Sequence, residues 1–295
     1  MITTKTMPAA ACGLADRIAL ADGNAIPAVG AGVFQIPNEE VAAAVLEAVK
    51  AGYRLIDTAA VYQNETGTGE GIRAALAETG LSRDDLFVTS KVWNYNLGYD
   101  ATVAAFERTM KRIGLDVLDL YLIHWPGQGD FREAWTALED LKAAGRVRSI
   151  GVCNFHARHF DRLREFARTM PVLNQVERHP YLAQTELLER CTSEGVLFQS
   201  WSPLMQGVVL KDELVLELAR KYGRTPAQIV LRWNLQSGAA LVVRSTKPER
   251  LVENARVFDF ALSDEDLARL SALDCGRRSG PDPDTFDMNI GFEEA

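Results

Sequence analysis

The feature that most constrains this chain is an alternation. Short apolar runs at 28–34, 53–59, 86–91, 118–124, 147–153, 173–177, 196–201 and 239–245 are separated by longer stretches of helical period. The runs are nearly continuous in apolar residues, as a strand covered on both faces requires, and do not show the two-residue alternation of a half-solvated sheet. The helical stretches fall at 38–51, 65–79, 100–113, 131–145, 156–168, 184–194 and, as a pair, 212–222 and 226–237. Eight strand-then-helix units predict an α/β protein whose parallel sheet closes on itself, a (β/α)8 or TIM barrel. A doubly wound open sheet is the alternative. At 295 residues the chain has the length of two average domains. One barrel also uses that length, so residues 1–295 are expected to form a single domain.

The flanks of this repeat differ from it. Residues 1–16 show no period and are expected to be a loose arm. Around Asp22-Gly23, two short runs, 17–20 and 25–27, predict a β-hairpin before the barrel. Segments 248–255 and 263–273 have helical period, and 274–295, rich in Gly, Pro and Asp, is expected to be a tail.

Ligand chemistry in parallel α/β folds sits at the carboxyl ends of the strands. Three successive runs end on groups that a core has no use for: Asp57, Lys91 and His124, with Tyr62 in the loop after Asp57. Each alone has an ordinary explanation, since Asp favours helix N-caps, strand-end lysines reach water and single histidines are commonly satisfied hydrogen-bonders. Brought to one mouth, they suggest a shared task. Lys91 and Asp57 would pair, because an unpaired buried charge is costly. An ammonium beside Tyr62 would favour its phenolate, drawing its pKa down from about 10 and making it a general acid. A neutral His124 would donate one N–H to a substrate oxygen.

Composition excludes several other functions. The net charge of −8 argues against a nucleic-acid surface, and no stretch reaches the length of a membrane-spanning helix. Cys12, Cys153, Cys191 and Cys275 are scattered without a C-x-x-C pair, so neither a zinc site nor a disulfide framework is expected. Ala9-Ala10-Ala11-Cys12 resembles a processed secretory end, but no apolar segment precedes it. Reduced thiols and a cytoplasmic location are the expectation.

Taken together, Asp57-Thr58-Ala59-Ala60-Val61-Tyr62, Ser90-Lys91, Leu122-Ile123-His124-Trp125-Pro126, Gly151-Val152-Cys153-Asn154-Phe155, Asn174-Gln175-Val176-Glu177 with His179-Pro180-Tyr181, and Arg244-Ser245 with Arg250, Glu253 and Asn254 resemble aldo-keto reductase motifs. They cover nearly the whole chain in the right order. The bacterial branch containing diketogluconate reductases and glyoxal or methylglyoxal reductases is the most similar. The resemblance implies an NADPH-dependent oxidoreductase that passes a hydride to a carbonyl carbon. Tyr62 would protonate the oxygen, Lys91 and Asp57 would tune Tyr62, and His124 would orient the carbonyl. Histidine at 124, where relatives that reduce carbon–carbon double bonds carry glutamate, favours carbonyl reduction.

The same resemblance implies the cofactor contacts. Asp57, Cys153, Asn154 and Gln175 would lie at the nicotinamide, and Cys153 stands where serine is usual. Trp201 would stack on the ring, with Ser202 and Leu204 following it. Arg244, Ser245, Thr246 and Arg250, with Glu253 and Asn254, would hold the adenosine end. Two guanidiniums suit a 2′-phosphate and favour NADP(H) over NAD(H). Arg244 replaces a usual lysine, and Val243 before it a usual proline.

Phe34, Trp93 and Trp125 are expected to wall the substrate site, suiting a small, partly apolar carbonyl compound. No metal and no macromolecular partner are expected, and the chain is expected to be a monomer. A cofactor-binding regulatory subunit on the same fold is the alternative function. Gly67-Thr68-Gly69-Glu70-Gly71 lacks the spacing of a phosphate loop and is expected to begin a helix. His156 and His159 have no third metal ligand in sequence and are expected on a surface helix. In the tail, acids at 282, 284, 287, 293 and 294 accompany Phe286, Met288, Ile290 and Phe292, a pattern suited to a lid over the barrel mouth or to a plain acidic tail.

Overall fold

The computed structural model describes residues 11–127 and 129–286. Residues 1–10 of the expected arm, and 287–295 of the tail, lie outside them. Strands β1 (Arg17–Ala19) and β2 (Ala25–Pro27) form the antiparallel hairpin, with Ile18 opposite Ile26. Then follow β3 (Val29–Gly32), α1 (Asn38–Lys50), β4 (Leu55–Asp57), α2 (Glu65–Thr79), β5 (Phe87–Val92), α3 (Tyr99–Ile113), β6 (Leu118–Ile123), α4 (Arg132–Ala143), β7 (Val147–Cys153) and α5 (Ala157–Arg164). The second half runs β8 (Leu173–Glu177), α6 (Thr185–Ser193), β9 (Leu197–Trp201), α7 (Glu213–Tyr222), α8 (Pro226–Gln236), β10 (Ala240–Val243), α9 (Pro248–Ala255) and α10 (Asp264–Ser271). Strands β3 to β10 pair in parallel, and β10 joins β9 to β3, closing the barrel.

Strand alternation sorts the side chains into two cores. One alternate set of strand residues, including Ile56, Val88, Tyr121, Ile150, Val176 and Phe198, faces outward and packs against the helices. The other set, Leu55, Phe87, Leu120, Leu122, Leu173 and Val242, fills the interior, where Leu20 and Ile26 of the hairpin close the amino-terminal end. The hairpin therefore plugs the end opposite the strand carboxyl termini. Inside, space is tight: a Cβ on Gly30 would fall 2.6 Å from the Leu55 side chain.

The glycines of 67–71 do lie in α2, and their reason is packing. A Cβ on Gly67 would fall 2.2 Å from the Asn38 carbonyl oxygen, and one on Gly69 1.9 Å from that of Ile113. Glycine thus lets α2 approach α1 and the end of α3 at backbone contact. Helix α5 departs more from expectation. It ends at Arg164, His156 is its N-cap, and His159 is buried rather than on a solvated face.

Candidate active site

The alternation that fills the interior with Leu55 and Phe87 also turns Asp57 and Lys91 inward, two and four residues further along the same strands. In register, Asp57 stands opposite Thr89, and Lys91 opposite Leu122. Asp57 closes β4, Lys91 lies one residue before the end of β5, and His124 follows β6. Tyr62 ends a single 3₁₀ turn, Ala60–Tyr62, that folds back over the mouth. The four groups separated in sequence meet here.

Lys91 is the centre. Its Nζ donates to Asp57 Oδ1 at 2.6 Å, to the Thr58 carbonyl at 2.9 Å and to Tyr62 Oη at 3.4 Å. All three ammonium hydrogens thus have acceptors in a site where Lys91 has no exposed surface. Burial alone would pull its pKa down, but the Asp57 carboxylate more than reverses this, and Lys91 stays charged.

Tyr62 overturns one expectation. Burial is the largest influence on its phenol and outweighs the pull of Lys91, so its pKa is pushed up to about 12, not down. The physical reason is that the Lys91 charge is already shared with Asp57, which itself disfavours a phenolate. Tyr62 holds its proton. Since Lys91 donates into Oη, that proton is free to point elsewhere. His124, beside it with ring centroids 5.7 Å apart, is held well below the usual imidazole range by burial and by Lys91, and is neutral. Its Nδ1 is sealed in without a partner among the described residues, leaving Nε2 as the nitrogen able to meet a ligand.

Around this cluster the expected aromatic wall is present. Phe34 packs on Tyr62 at 4.9 Å and is 48 % exposed, and Trp93 meets His124 edge-on at 5.1 Å. Trp125 lies 6.4 Å from Trp201 and 4.8 Å from Phe286, so the tail reaches the mouth.

The groups expected at the nicotinamide end are gathered beside Asp57. Asn154, in a left-handed conformation with φ of 61°, donates to the His124 carbonyl at 2.9 Å and accepts from Trp201 Nε1 at 2.8 Å. Gln175 Nε2 donates to Asp57 Oδ2 at 2.8 Å. Cys153 faces the same interior but has no exposed surface, and burial pushes its thiol up, so it keeps its proton and is no nucleophile. Ser202 and Leu204 follow β9 on a loop where Ser202, Met205 and Gln206 all have positive φ. Among the described residues, every non-glycine residue of this kind, from Gln35 and Gln63 to Gln184, lies in a loop at the carboxyl ends of the strands. Such strain collects where a backbone is shaped for a ligand.

The residues expected at the adenosine end occupy the β10–α9 loop and α9. Arg244, Thr246 and Arg250 are exposed, and Arg244 donates to the Gln35 carbonyl at 3.0 Å, bridging to the β3 loop. Ser245 turns onto the Lys247 backbone. Lys247, exposed between the two arginines, is a further cation that no motif marked. Glu253 accepts from Thr225 at 2.8 Å, while Asn254 is buried.

The tail is fastened by contacts that only folding creates. Glu177, ending β8, accepts from Ser279 and Gly280 of the tail and from His179. Burial alone would raise its pKa, but these hydrogen bonds hold it below the usual carboxylate range. Asp284 accepts from Arg158 at 2.6 Å and meets His156 Nδ1 at 2.9 Å. Arg278 lies 3.3 Å from His156 Nε2, which places the imidazole proton on Nδ1, toward Asp284. His156, Asp282 and Asp284 do bring three ligand-type atoms within 4.8 Å of one another. With two arginines on them, they form a clasp for the tail.

Comparison with known proteins supplies the context. A sequence model described as the aldo/keto reductase family matches residues 28–274. Glyoxal reductase of Bacillus subtilis is 47 % identical over 272 residues, which are 92 % of this chain and 97 % of the relative. Methylglyoxal reductase DkgA of Yersinia pestis is 44 % identical over 273 residues, 91 % of this chain and 96 % of the relative. Among solved structures, a Bombyx mori aldo-keto reductase in complex with NADP superposes with a TM-score of 0.87 at 36 % identity, covering 92 % of this chain and 96 % of that one.

Proposed function

Because the chain belongs to the aldo/keto reductase family of oxidoreductases, we propose that it reduces small aldehydes and ketones to alcohols with NADPH, Tyr62 acting as the general acid. The observation that carries this reading is the placement of Lys91 Nζ between Asp57 Oδ1 and Tyr62 Oη, with neutral His124 alongside. Bound NADPH supplies the hydride. The rest falls to the chain's own groups. Nε2 of His124 orients the carbonyl oxygen, and Tyr62, kept protonated by its burial, delivers a proton to that oxygen as negative charge develops. Lys91 then stabilises the phenolate left behind, a role for which its charge and its contact with Oη suit it.

The residues fit the cofactor they would hold. Arg244, Lys247 and Arg250 present cations at the carboxyl end of β10, as a 2′-phosphate requires. Asn154 and Gln175 offer amides beside the catalytic cluster, as a carboxamide requires, and the Trp201 indole offers a face. Glu253 and Asn254 on α9 would serve the adenosine. For substrate, the narrow aromatic mouth of Phe34, Trp93 and Trp125 and the similarity to glyoxal and methylglyoxal reductases support a small 2-oxoaldehyde as the first class to test. Cys153, Cys191 and Cys275 are free thiols, which supports a reducing location such as the cytoplasm. No helix among the described residues is long and apolar enough to cross a membrane.

The test is NADPH consumption with a panel of aldehydes, ketones and 2-oxoaldehydes, with and without a chelator. Turnover unaffected by chelator is expected. Tight NADPH binding with no turnover on any carbonyl would instead identify a binding or regulatory subunit.

A further inference from the structure

Gln199 was marked by no motif, yet it is tied to the catalytic cluster. It lies on β9 opposite Gln175 of β8, faces the barrel interior between Leu197 and Trp201, and is 1 % exposed. Its Oε1 accepts from Gln175 Nε2 at 2.8 Å. The same Nε2 donates its other hydrogen to Asp57 Oδ2 at 2.8 Å. A chain of polar contacts thus runs from Gln199 through Gln175, Asp57 and Lys91 to Tyr62.

The orientation of both amides follows from Asp57. Turning Gln175 over would set its carbonyl against a carboxylate, and turning Gln199 over would set two NH₂ groups face to face. Both hydrogens of Gln175 are therefore committed within the protein. Its carbonyl oxygen is the part left to meet a ligand, and it can only accept.

Gln199 makes this arrangement at a cost. Its own Nε2 is buried with no partner among the described residues. A buried unsatisfied donor destabilises a fold, and an apolar side chain of similar size would remove the penalty. The interior already uses leucine two residues back on the same strand, at Leu197. What an apolar residue could not supply is the acceptor for the second Gln175 hydrogen. With Asp57 alone, the Gln175 amide is held at one hydrogen and its plane can swing about that contact.

We infer that Gln199 is a positioning residue that locks the Gln175 amide so its carbonyl accepts from the carboxamide NH₂ of the nicotinamide. This rests on the functional reading above. By fixing the carboxamide, Gln199 would set the ring's orientation for hydride transfer without touching cofactor or substrate.

The experiment uses the full-length protein and two reduced cofactors: NADPH, and its 3-acetylpyridine analogue, in which a methyl group replaces the carboxamide NH₂. The wild type is expected to favour NADPH in kcat/KM by about tenfold or more, the worth of one well-placed hydrogen bond. Gln199→Leu should lose most of that preference through kcat with NADPH, while NADPH affinity, read by quenching of tryptophan fluorescence, changes less than about threefold. Gln199→Ile, whose β-branch suits a strand, serves as a second acceptor-free variant should leucine prevent folding. Gln199→Glu keeps an acceptor oxygen in place and should keep the preference. If the acceptor-free variants retain the wild-type ratio between the two cofactors, Gln199 is a packing residue only. A wild type that turns over NADPH yet treats both cofactors alike also overturns the inference. A wild type inactive on every carbonyl sinks the functional reading, and this inference with it.

Discussion

Lys91 Nζ lies 2.6 Å from Asp57 Oδ1 at the centre of the barrel mouth, with Lys91 wholly buried and Asp57 only 3 % exposed. Such a pair is held together by what breaking it would leave behind. Removing one partner strands a charge in the interior, at about 3 to 5 kcal/mol, whereas removing both leaves no charge to strand. Asp57→Asn and Lys91→Met should each lower unfolding stability in urea by about that amount, and the double variant by well under the sum. Additive losses would mean that the two groups are not coupled.

Tyr62 is expected to act in its protonated form. Tyr62→Phe should reduce turnover by about 10²- to 10⁴-fold, the usual worth of a positioned acid. NADPH affinity should barely change, and an unaltered turnover number would remove Tyr62 from this role.

The upward shift of Tyr62 to about 12 predicts the pH dependence of the proposed reaction. Carbonyl reduction needs the phenol, so its kcat/KM should show no falling limb from Tyr62 until the pH approaches that value. Alcohol oxidation needs the phenolate, a species whose population grows roughly tenfold per pH unit below the pKa, and should rise steadily through neutral and mildly alkaline pH. Because burial and Lys91 keep His124 neutral, protonating it should not limit either direction near neutrality. A reductive profile that already falls just above neutral pH would contradict this assignment.

The exposed cations after β10 predict cofactor choice. Arg244→Ala or Arg250→Ala should weaken NADPH about ten- to a hundredfold, as expected for a lost hydrogen bond to a charged group, and leave NADH almost untouched. Titrating each variant with both cofactors decides it. Equal losses for the two would mean that these arginines do not read the phosphate.

The clasp at Asp284 predicts the tail's part in substrate choice. Deleting residues 282–295 removes both Asp284 and Phe286, the side chain packed on Trp125. KM should rise and the order of preferred carbonyls change, with cofactor affinity and folding close to wild type, because a cover encloses substrate without building the barrel. Asp284→Ala should give the same change in smaller degree. An unchanged KM and preference order across the panel would reduce the segment to a plain tail.

Much of the framework is legible in the chain itself. Continuous apolar runs separated by helical period specify a parallel, doubly covered sheet, and their number specifies closure. Strand alternation is equally local: once Leu55 faces inward, so must Asp57, and once Phe87 does, so must Lys91. The meeting of Asp57, Lys91 and His124 at one mouth follows from those parities and from the rule that ligands gather at strand carboxyl ends.

What the chain does not carry is any quantity that depends on neighbours distant in sequence. Gln199 is an unremarked polar residue in a short strand until Gln175 stands beside it with a hydrogen to place. Gly67 and Gly69 look like an uncommitted glycine run until the backbones of α1 and α3 press against them. His159 is polar and sits in an amphipathic stretch, but it is buried, with Asp284 of the tail and the rings of Phe155 and His156 against it. Glu177 and Asp284 become fastenings only when the tail returns to the mouth. The direction of the Tyr62 shift belongs here too. Sequence places a lysine near the tyrosine, but whether its charge or the loss of water prevails depends on how deeply the phenol is packed and on Asp57 sharing that charge. Local periodicity determines which side chains face inward, because it is a property of the backbone's own geometry. Burial and long-range pairing determine what those side chains do, and those exist only once the barrel has closed.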